Sequence, residues 1–263
     1  MYSFDLVRPT NLADAASALT NSGGKALAGG QSLISAMKLR LAQPGTLVDL
    51  SGLAELKGIA REGNAVKIGA LSTHAQVAES TVVTGAIPAL AHLAHGIGDR
   101  AIRNMGTIGG SIAHNDPAAC YPAAILALNA TIRTNTRTIA ADDFFKGLYE
   151  TALGDGEIIT SVTFPIPAKA AYVKFPSPAS RFALVGVFVA QTPGGVRVAV
   201  TGAKSCVFRS AELERALAKS FSSDAAKSTT VSTSGLNADL HASPEYRAHL
   251  IPVLAARAVA AAG

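Results

Sequence analysis

Two glycine-rich segments constrain this chain more than any other feature: Ala28-Gly29-Gly30-Gln31-Ser32 and Gly106-Thr107-Ile108-Gly109-Gly110-Ser111. The first sits between Lys25–Leu27, which reads as a short strand, and the helical pattern Leu33–Leu41. Adjacent glycines let the backbone come close to a ligand, and the start of the following helix directs free N–H groups outward, which suits a pyrophosphate. Ser32 offers a further hydroxyl donor. The second segment interleaves glycines with hydroxyl side chains and reads as a nest of N–H donors for an anion. It lacks the Gly-Lys-Ser/Thr ending of a triphosphate loop and the G-x-G-x-x-G spacing of a nicotinamide site, which disfavours both. Taken alone, each segment reads as a tight structural turn. Together they fit a dinucleotide held between two subdomains, with two independent turns as the alternative.

The rest of the chain supplies strands and helices without a strict alternation. Thr10 or Asn11 caps a helix over Leu12–Leu19, closed by Gly23-Gly24, and Thr46–Leu50 reads as a strand after Pro44-Gly45. Leu56–Ala60 and Ala65–Leu71 read as a hairpin around Glu62-Gly63-Asn64. Pro88 starts a helix that runs through Gly96, and Pro122–Leu128 is helical. Thr131–Arg133, Thr138–Ala140 and Glu157–Phe164 read as strands, and Pro165-Ile166-Pro167 ends the last of them at the expected domain boundary. Beyond it, Phe182–Gln191 and Val196–Gly202 are strands around Pro193-Gly194-Gly195, Glu212–Lys219 is helical, and the Ser/Thr-rich stretch Ser220–Ser234 reads as loop. Ser243-Pro244-Glu245 opens a last helix, with Ser at N-cap and Pro at N1. This mixture predicts α+β rather than a doubly wound sheet.

The 263 residues suffice for one large or two modest domains. Charged residues are only 16%, against about 25% in ordinary soluble domains. Nearly half the chain is apolar, which excludes a disordered charged tail. Residues 1–165 carry 12 Lys/Arg against 13 Asp/Glu, and residues 166–263 carry 11 against 5, so the excess positive charge lies beyond the Pro165–Pro167 boundary. The basic residues there, Lys169, Lys174, Arg181, Arg197, Lys204 and Arg209, lack the interleaved aromatics of a single-strand binder, so no nucleic acid is expected. Cys120 and Cys206 are too few and too far apart for a disulfide framework or for the four ligands of an iron–sulfur cluster. The six histidines show no zinc-ligand spacing. With neither a signal-peptide pattern nor an apolar run long enough for a transmembrane segment, a soluble cytoplasmic protein is expected.

Several further motifs occur in a fixed order. Met37-Lys-Leu-Arg40 follows the first glycine segment; Ile97-Gly-Asp99 and Ile102-Arg-Asn104 precede the second, and Ala113-His-Asn-Asp-Pro-Ala-Ala119 follows it. Asp142-Asp-Phe-Phe-Lys-Gly147, Thr151-Ala-Leu153 and Glu157-Ile-Ile159 come next, then Tyr172-Val-Lys174 with Pro178-Ala-Ser180-Arg-Phe-Ala183, and finally Ala242-Ser-Pro-Glu-Tyr-Arg247. This succession resembles the FAD-binding medium subunit of carbon monoxide dehydrogenase, xanthine dehydrogenase and related molybdenum hydroxylases, from about Asp5 to Arg257.

The resemblance implies a vanillyl-alcohol-oxidase (PCMH) type FAD-binding domain of two α/β subdomains, residues 1–166, and a smaller α+β carbon monoxide dehydrogenase flavoprotein C-terminal domain, residues 167–263. It implies that Ala28, Gly29, Gly30, Gln31, Ser32 and Leu33, with Thr107, Ile108, Gly109, Gly110 and Ser111, hold the FAD diphosphate. It places Ile97, Ile159 and Lys174 near the isoalloxazine. A lysine beside that ring would stabilise the charge of the reduced flavin; on the residues alone, a solvated strand charge is the simpler reading of Lys174. One departure stands out: where the family has a final Asp in Asp-Pro-Ala-Ala-Asp, this chain has Cys120, an apolar thiol that is either a flavin neighbour or a buried core residue at a helix start. His114 and Asp116 read as loop-building residues rather than an acid–base pair, Asp142-Asp143 as a cap for Phe144-Phe145, and His92 and His95 as surface or packing residues.

By the same resemblance the chain is an electron-transfer oxidoreductase component that contains FAD. A large molybdopterin-binding subunit and a small [2Fe–2S] subunit are the expected partners, in a dimer of heterotrimers. Two other readings stay open: a stand-alone flavin oxidoreductase of the same fold, and a flavin-free bridging subunit.

Overall fold

Helix ends made by single left-handed residues set the path of the N-terminal part. In the computed structural model, which describes residues 1–262, β1 (Asp5–Val7), α1 (Leu12–Ser22), β2 (Lys25–Leu27), α2 (Leu33–Lys38) and β3 (Thr46–Asp49) build a parallel sheet in the order β1-β3-β2. Asn11 caps α1 by accepting from the Asp14 N–H at 2.9 Å, and Gly23 at φ 58° ends it. α2 is shorter than its sequence pattern. Arg40 turns to φ 59°, and the N–H groups of Arg40 and Leu41 close back on Met37 O and Ala36 O, a Schellman closure that stops the helix before Pro44. Ala15, Leu19, Val48, Leu53 and Leu56 form the small core beneath.

The middle part is an antiparallel sheet, β4-β5-β10-β6-β7, of β4 (Ile59–Glu62), β5 (Ala65–Gly69), β6 (Thr131–Thr134), β7 (Thr138–Ala140) and β10 (Ile159–Pro165). The hairpin expected over Leu56–Ala60 starts later than its pattern, because Ala54–Leu56 forms a 3-10 turn first. Between β5 and β6 lie α3 (His74–Glu79), α4 (Thr81–Ala86), α5 (Pro88–His95), α6 (Arg100–Met105), α7 (Ile108–His114) and α8 (Tyr121–Ala127). Four of these had no counterpart in the sequence reading. Thr73, Ser80, Asp99 and Thr107 start them by side-chain caps, and helices of six or seven residues are too short to show a periodic stripe. After β7 come α9 (Ala141–Phe144) and a small hairpin of β8 (Phe145–Gly147) and β9 (Glu150–Thr151).

The C-terminal part is an antiparallel sheet of β11 (Lys169–Pro176), β12 (Ala183–Thr192), β13 (Gly195–Thr201) and β14 (Phe208–Arg209), covered by α10 (Ala211–Lys219), α11 (Ser223–Lys227) and α12 (Pro244–Ala261). The stretch expected to be loop, Ser220–Ser234, contains α11 because Ser222 caps it. β12 is buried on both faces. Val185, Val187 and Val189 face the core under α12 with Ile251 and Leu254. Phe188 and Ala190, with Tyr172 of β11, enter the core of the middle part beside Ile125, Phe144 and Phe164. Hydrogen bonds add to this seam. Thr201 Oγ1 donates toward Pro117 O and Ala119 O (2.7 and 2.6 Å), the Gly202 N–H to Pro117 O, and Arg197 Nε to Leu126 O. The Asp142 carboxylate caps no helix, contrary to expectation. It accepts from Arg197 and Arg209 of the C-terminal sheet, which hold it away from the α9 N-terminus.

Arg247 of α12 is 2% exposed and donates to Leu184 O (2.7 Å), Gly202 O (2.9 Å) and Asp239 (2.7 Å), tying α12 to the ends of β12 and β13. Arg247→Met removes charge-assisted bonds and leaves two buried carbonyls short of donors. We expect a loss of about 2–4 kcal/mol, read as a lower urea midpoint at unchanged slope.

Candidate functional site

A cavity of about 620 Å3 opens where the three parts meet. Its floor is the first glycine segment, in the turn from β2 to α2. Gly30 lies at φ 70°, and a side chain on Gly29 would meet Met105 O at 2.0 Å, so the segment rests directly on the end of α6. Among the described residues, the N–H groups of Ala28 through Leu33 have no acceptor in the chain, and α2 has no side-chain cap. Six consecutive donors therefore border the cavity unpaired, at the positively polarised end of a helix.

The second glycine segment differs from its sequence reading. It is not an open nest but the first turn of α7, with Thr107 as N-cap. Among the described residues, the N–H of Thr107 has no acceptor in the chain, but those that follow are engaged: Ile108 to Ser72 O (3.1 Å), Gly109 to Ala70 O (2.8 Å), Gly110 to Thr107 Oγ1 (3.1 Å) and Ser111 to Thr107 O (3.0 Å). Gly109 is needed for close approach, since a Cβ there would lie 2.6 Å from that of Ala70. The side chain of Ile108 is buried in the core and does not line the cavity. Thr107, Gly109, Gly110 and Ser111 do, facing Ala28–Leu33.

Ile97, Ile159, Cys120 and Lys174 complete the wall. Cys120 is 5% exposed at the start of α8, so it is both a core residue and a cavity residue. Lys174, on β11, is not a solvated strand charge. Its ammonium donates to Gly96 O (2.7 Å) and Arg181 O (3.0 Å) and lies 3.6 Å from Cys120 Sγ; none of these is a carboxylate. The buried hydroxyls of Tyr121 and Tyr172 have no hydrogen-bond partner, and burial, reinforced by the neighbouring Cys120, pushes both well above the ordinary tyrosine range. His114 stacks on Tyr149 at 5.0 Å, and Asp116 Oδ1 accepts from the Ala118 N–H at 2.8 Å, so both shape the loop. His92 and His95 are exposed on α5.

Two groups on this wall lie outside the set of site residues expected from the sequence. One is the pair Arg181 and Phe182, at the tip of the β11–β12 hairpin, where Arg181 takes φ 62°. The other is His74, the first residue of α3. It is 5% exposed, its Nδ1 has no partner, and its ring lies 5.4 Å from that of Tyr121. Burial, with the Arg103 guanidinium adding to it, pushes its pKa down to about 4.

Residues 2–167 match the family described as the FAD binding domain in molybdopterin dehydrogenase. The chain belongs to that family. It is 36% identical over 270 residues to the nicotine 6-hydroxylase medium subunit of Paenarthrobacter nicotinovorans, covering 97% of this chain and 95% of the relative. It is 33% identical over 277 residues to the carbon monoxide dehydrogenase medium chain of Hydrogenophaga pseudoflava, covering 98% and 96%. Among solved structures, a carbon monoxide dehydrogenase of Hydrogenophaga pseudoflava superposes with a TM-score of 0.90 at 33% identity, covering 99% of this chain and 97% of that one. Quinoline 2-oxidoreductase of Pseudomonas putida 86 gives 0.89 at 28% identity, covering 99% and 97%. The fold is thus α+β with an FAD-binding domain, FAD is its cofactor, and the chain is an oxidoreductase component. Its relatives' names, as medium subunits, mark them as members of multi-subunit enzymes. Among the described residues no helix is long and apolar enough to cross a membrane, and no cluster of His, Cys, Asp and Glu could hold a metal ion.

His74 gives the site a pH signature. Its folded pKa lies below its unfolded value near 6.5, so the unfolded chain binds more protons between those values. The penalty is absent above pH 6.5, grows as the pH falls, and is complete below about pH 4. We expect His74→Asn to flatten the acid loss of stability in that window, measured by urea unfolding at pH 7, 5.5 and 4.5.

Proposed function

We propose that this chain is the electron-transfer subunit of a cytoplasmic molybdenum hydroxylase. In this reading substrate is oxidised at the molybdenum–pterin site of a large subunit, and electrons leave through the [2Fe–2S] clusters of a small subunit to this one. FAD, when bound, supplies the redox chemistry that hands them to an external acceptor. The observation that carries the reading is the row of unpaired N–H groups from Ala28 to Leu33 on the floor of a cavity of about 620 Å3. That row fits a diphosphate, and the volume suits a ligand of this size class. Thr107, Gly109, Gly110 and Ser111 close the opposite side, and Ile108 acts only by anchoring α7 in the core. Ile97 and Ile159 offer apolar surface for the ring, with Cys120 and Lys174 at its edge. The ammonium of Lys174, unneutralised by a carboxylate partner, favours negative charge in the cavity.

The proposed division is a flavin domain, 1–166, and a C-terminal domain, 167–263, assembled with the two partners as a dimer of heterotrimers. Relatives named for nicotine and for carbon monoxide align along nearly their whole length, which supports a substrate site outside this subunit. The structural roles of His114 and Asp116 weigh against a stand-alone oxidoreductase, and the unpaired donors weigh against a flavin-free bridge.

The test is purification of the full chain with its neighbours in the complex. A yellow, bilobed flavin spectrum and co-purifying molybdenum and [2Fe–2S] subunits are expected; a colourless protein that FAD does not reconstitute overturns the reading. Gly29→Ala pushes the floor off Met105 and should weaken FAD binding at least about tenfold in a fluorescence titration, a loss equal to one or two hydrogen bonds. Cys120→Asp puts a negative charge beside an electron-rich reduced ring and should lower the flavin midpoint potential. An unchanged potential would show that residue 120 does not face the ring.

A further inference from the structure

Resting on the flavin reading above, we infer that Lys174 is a positioning residue, a three-point clamp that holds the β11–β12 hairpin tip across the cavity mouth. An ammonium has three donors. Here they meet Gly96 O at the end of α5, Arg181 O at the hairpin tip and Cys120 Sγ at the start of α8. Those acceptors belong to three separate elements, and the distances leave no donor free for a ring in the cavity.

The tip itself has little else to hold it. Its closing bonds are local: the Ser177 N–H to Phe182 O, the Arg181 N–H to Ser177 O, and the Phe182 N–H to Ser180 Oγ. Pro176 follows a register shift in the β11–β12 pairing, and Arg181 adopts φ 62°, a conformation unfavourable for a non-glycine residue. Phe182, half exposed, reaches the cavity from this tip. The tip is thus tied to the flavin domain through Lys174, whose ammonium holds Arg181 O on the hairpin while it also binds Gly96 O and Cys120 Sγ, and Lys174 governs how open the mouth is. Its charge acts on the cavity through space; its geometry acts through Arg181 and Phe182.

Amide exchange of the full chain without FAD tests the clamp directly. In Lys174→Met, exchange across 177–182 should quicken about tenfold, the equivalent of one charge-assisted hydrogen bond, while Lys174→Arg retains most of the protection. Arg181→Pro cannot hold φ 62°, so it swings the carbonyl away with Lys174 intact and should open the tip likewise. In the assembled enzyme, both Lys174→Met and Arg181→Pro should speed release of bound FAD, followed as recovery of free-flavin fluorescence, by a similar factor. Unchanged exchange in Lys174→Met overturns the clamp. So does an Arg181→Pro tip that opens while FAD release stays the same. Because the exchange arm needs no flavin, a chain that takes up no FAD sinks the flavin reading and leaves the clamp to be judged on exchange alone.

Discussion

The architecture depends on one strand buried on both faces. β12 cannot present a polar side anywhere along its middle, because Val185, Val187 and Val189 lie under α12 while Phe188 and Ala190 lie in the core of the preceding sheet. Burying a side chain of this size contributes about 1.5–3 kcal/mol, so separating the C-terminal sheet from the flavin part would expose several such groups at once. The seam therefore behaves as core rather than as a hinge between lobes. That rigidity brings β11, and Lys174 with it, within hydrogen-bond distance of α5 and α8.

The polar contacts follow the same logic. Thr201, Gly202 and Arg197 all bind backbone carbonyls around α8, at Pro117, Ala119 and Leu126. They fix the segment that carries Cys120 into the cavity. Asp142, set between Arg197 and Arg209, closes the far end of the seam with charge. The uneven charge of the sequence thus has a local use: part of the excess positive charge beyond residue 165 serves the joint with the more acidic first part.

How much of this was legible in the sequence depended on the kind of signal. The strand–Gly-Gly–helix pattern at 25–33 was readable because its turn is set locally, by Gly30 at φ 70°, a conformation that glycine adopts without strain. The apolar run of β12 was readable as a strand, though not as one buried on both sides. The second glycine segment misled, since its composition matches an anion nest while the N–H groups of 108–111 are engaged by Ser72, Ala70 and Thr107. Which donors remain free is a tertiary fact. The same holds for His74 and for Lys174, whose partners lie 54 and 78 residues away in sequence, or on the hairpin tip. A lone histidine carries no periodicity, so only packing reveals it; the ordered family motifs single out the lysine, but only packing shows what it binds.

The open row of donors at Ala28–Leu33 also bears on how the protein is held together. Without a ligand, water must satisfy those groups, and the loop gains nothing from its own backbone there. Whatever binds them acts as a folding ligand as well as a cofactor. By mass action, a site filled at a hundred times its Kd adds about 2.7 kcal/mol to the folded state, comparable to truncating a buried core side chain, with the sign reversed. Cofactor supply and subunit lifetime would then be coupled: chains made faster than they are loaded would be the ones that unfold first and are cleared.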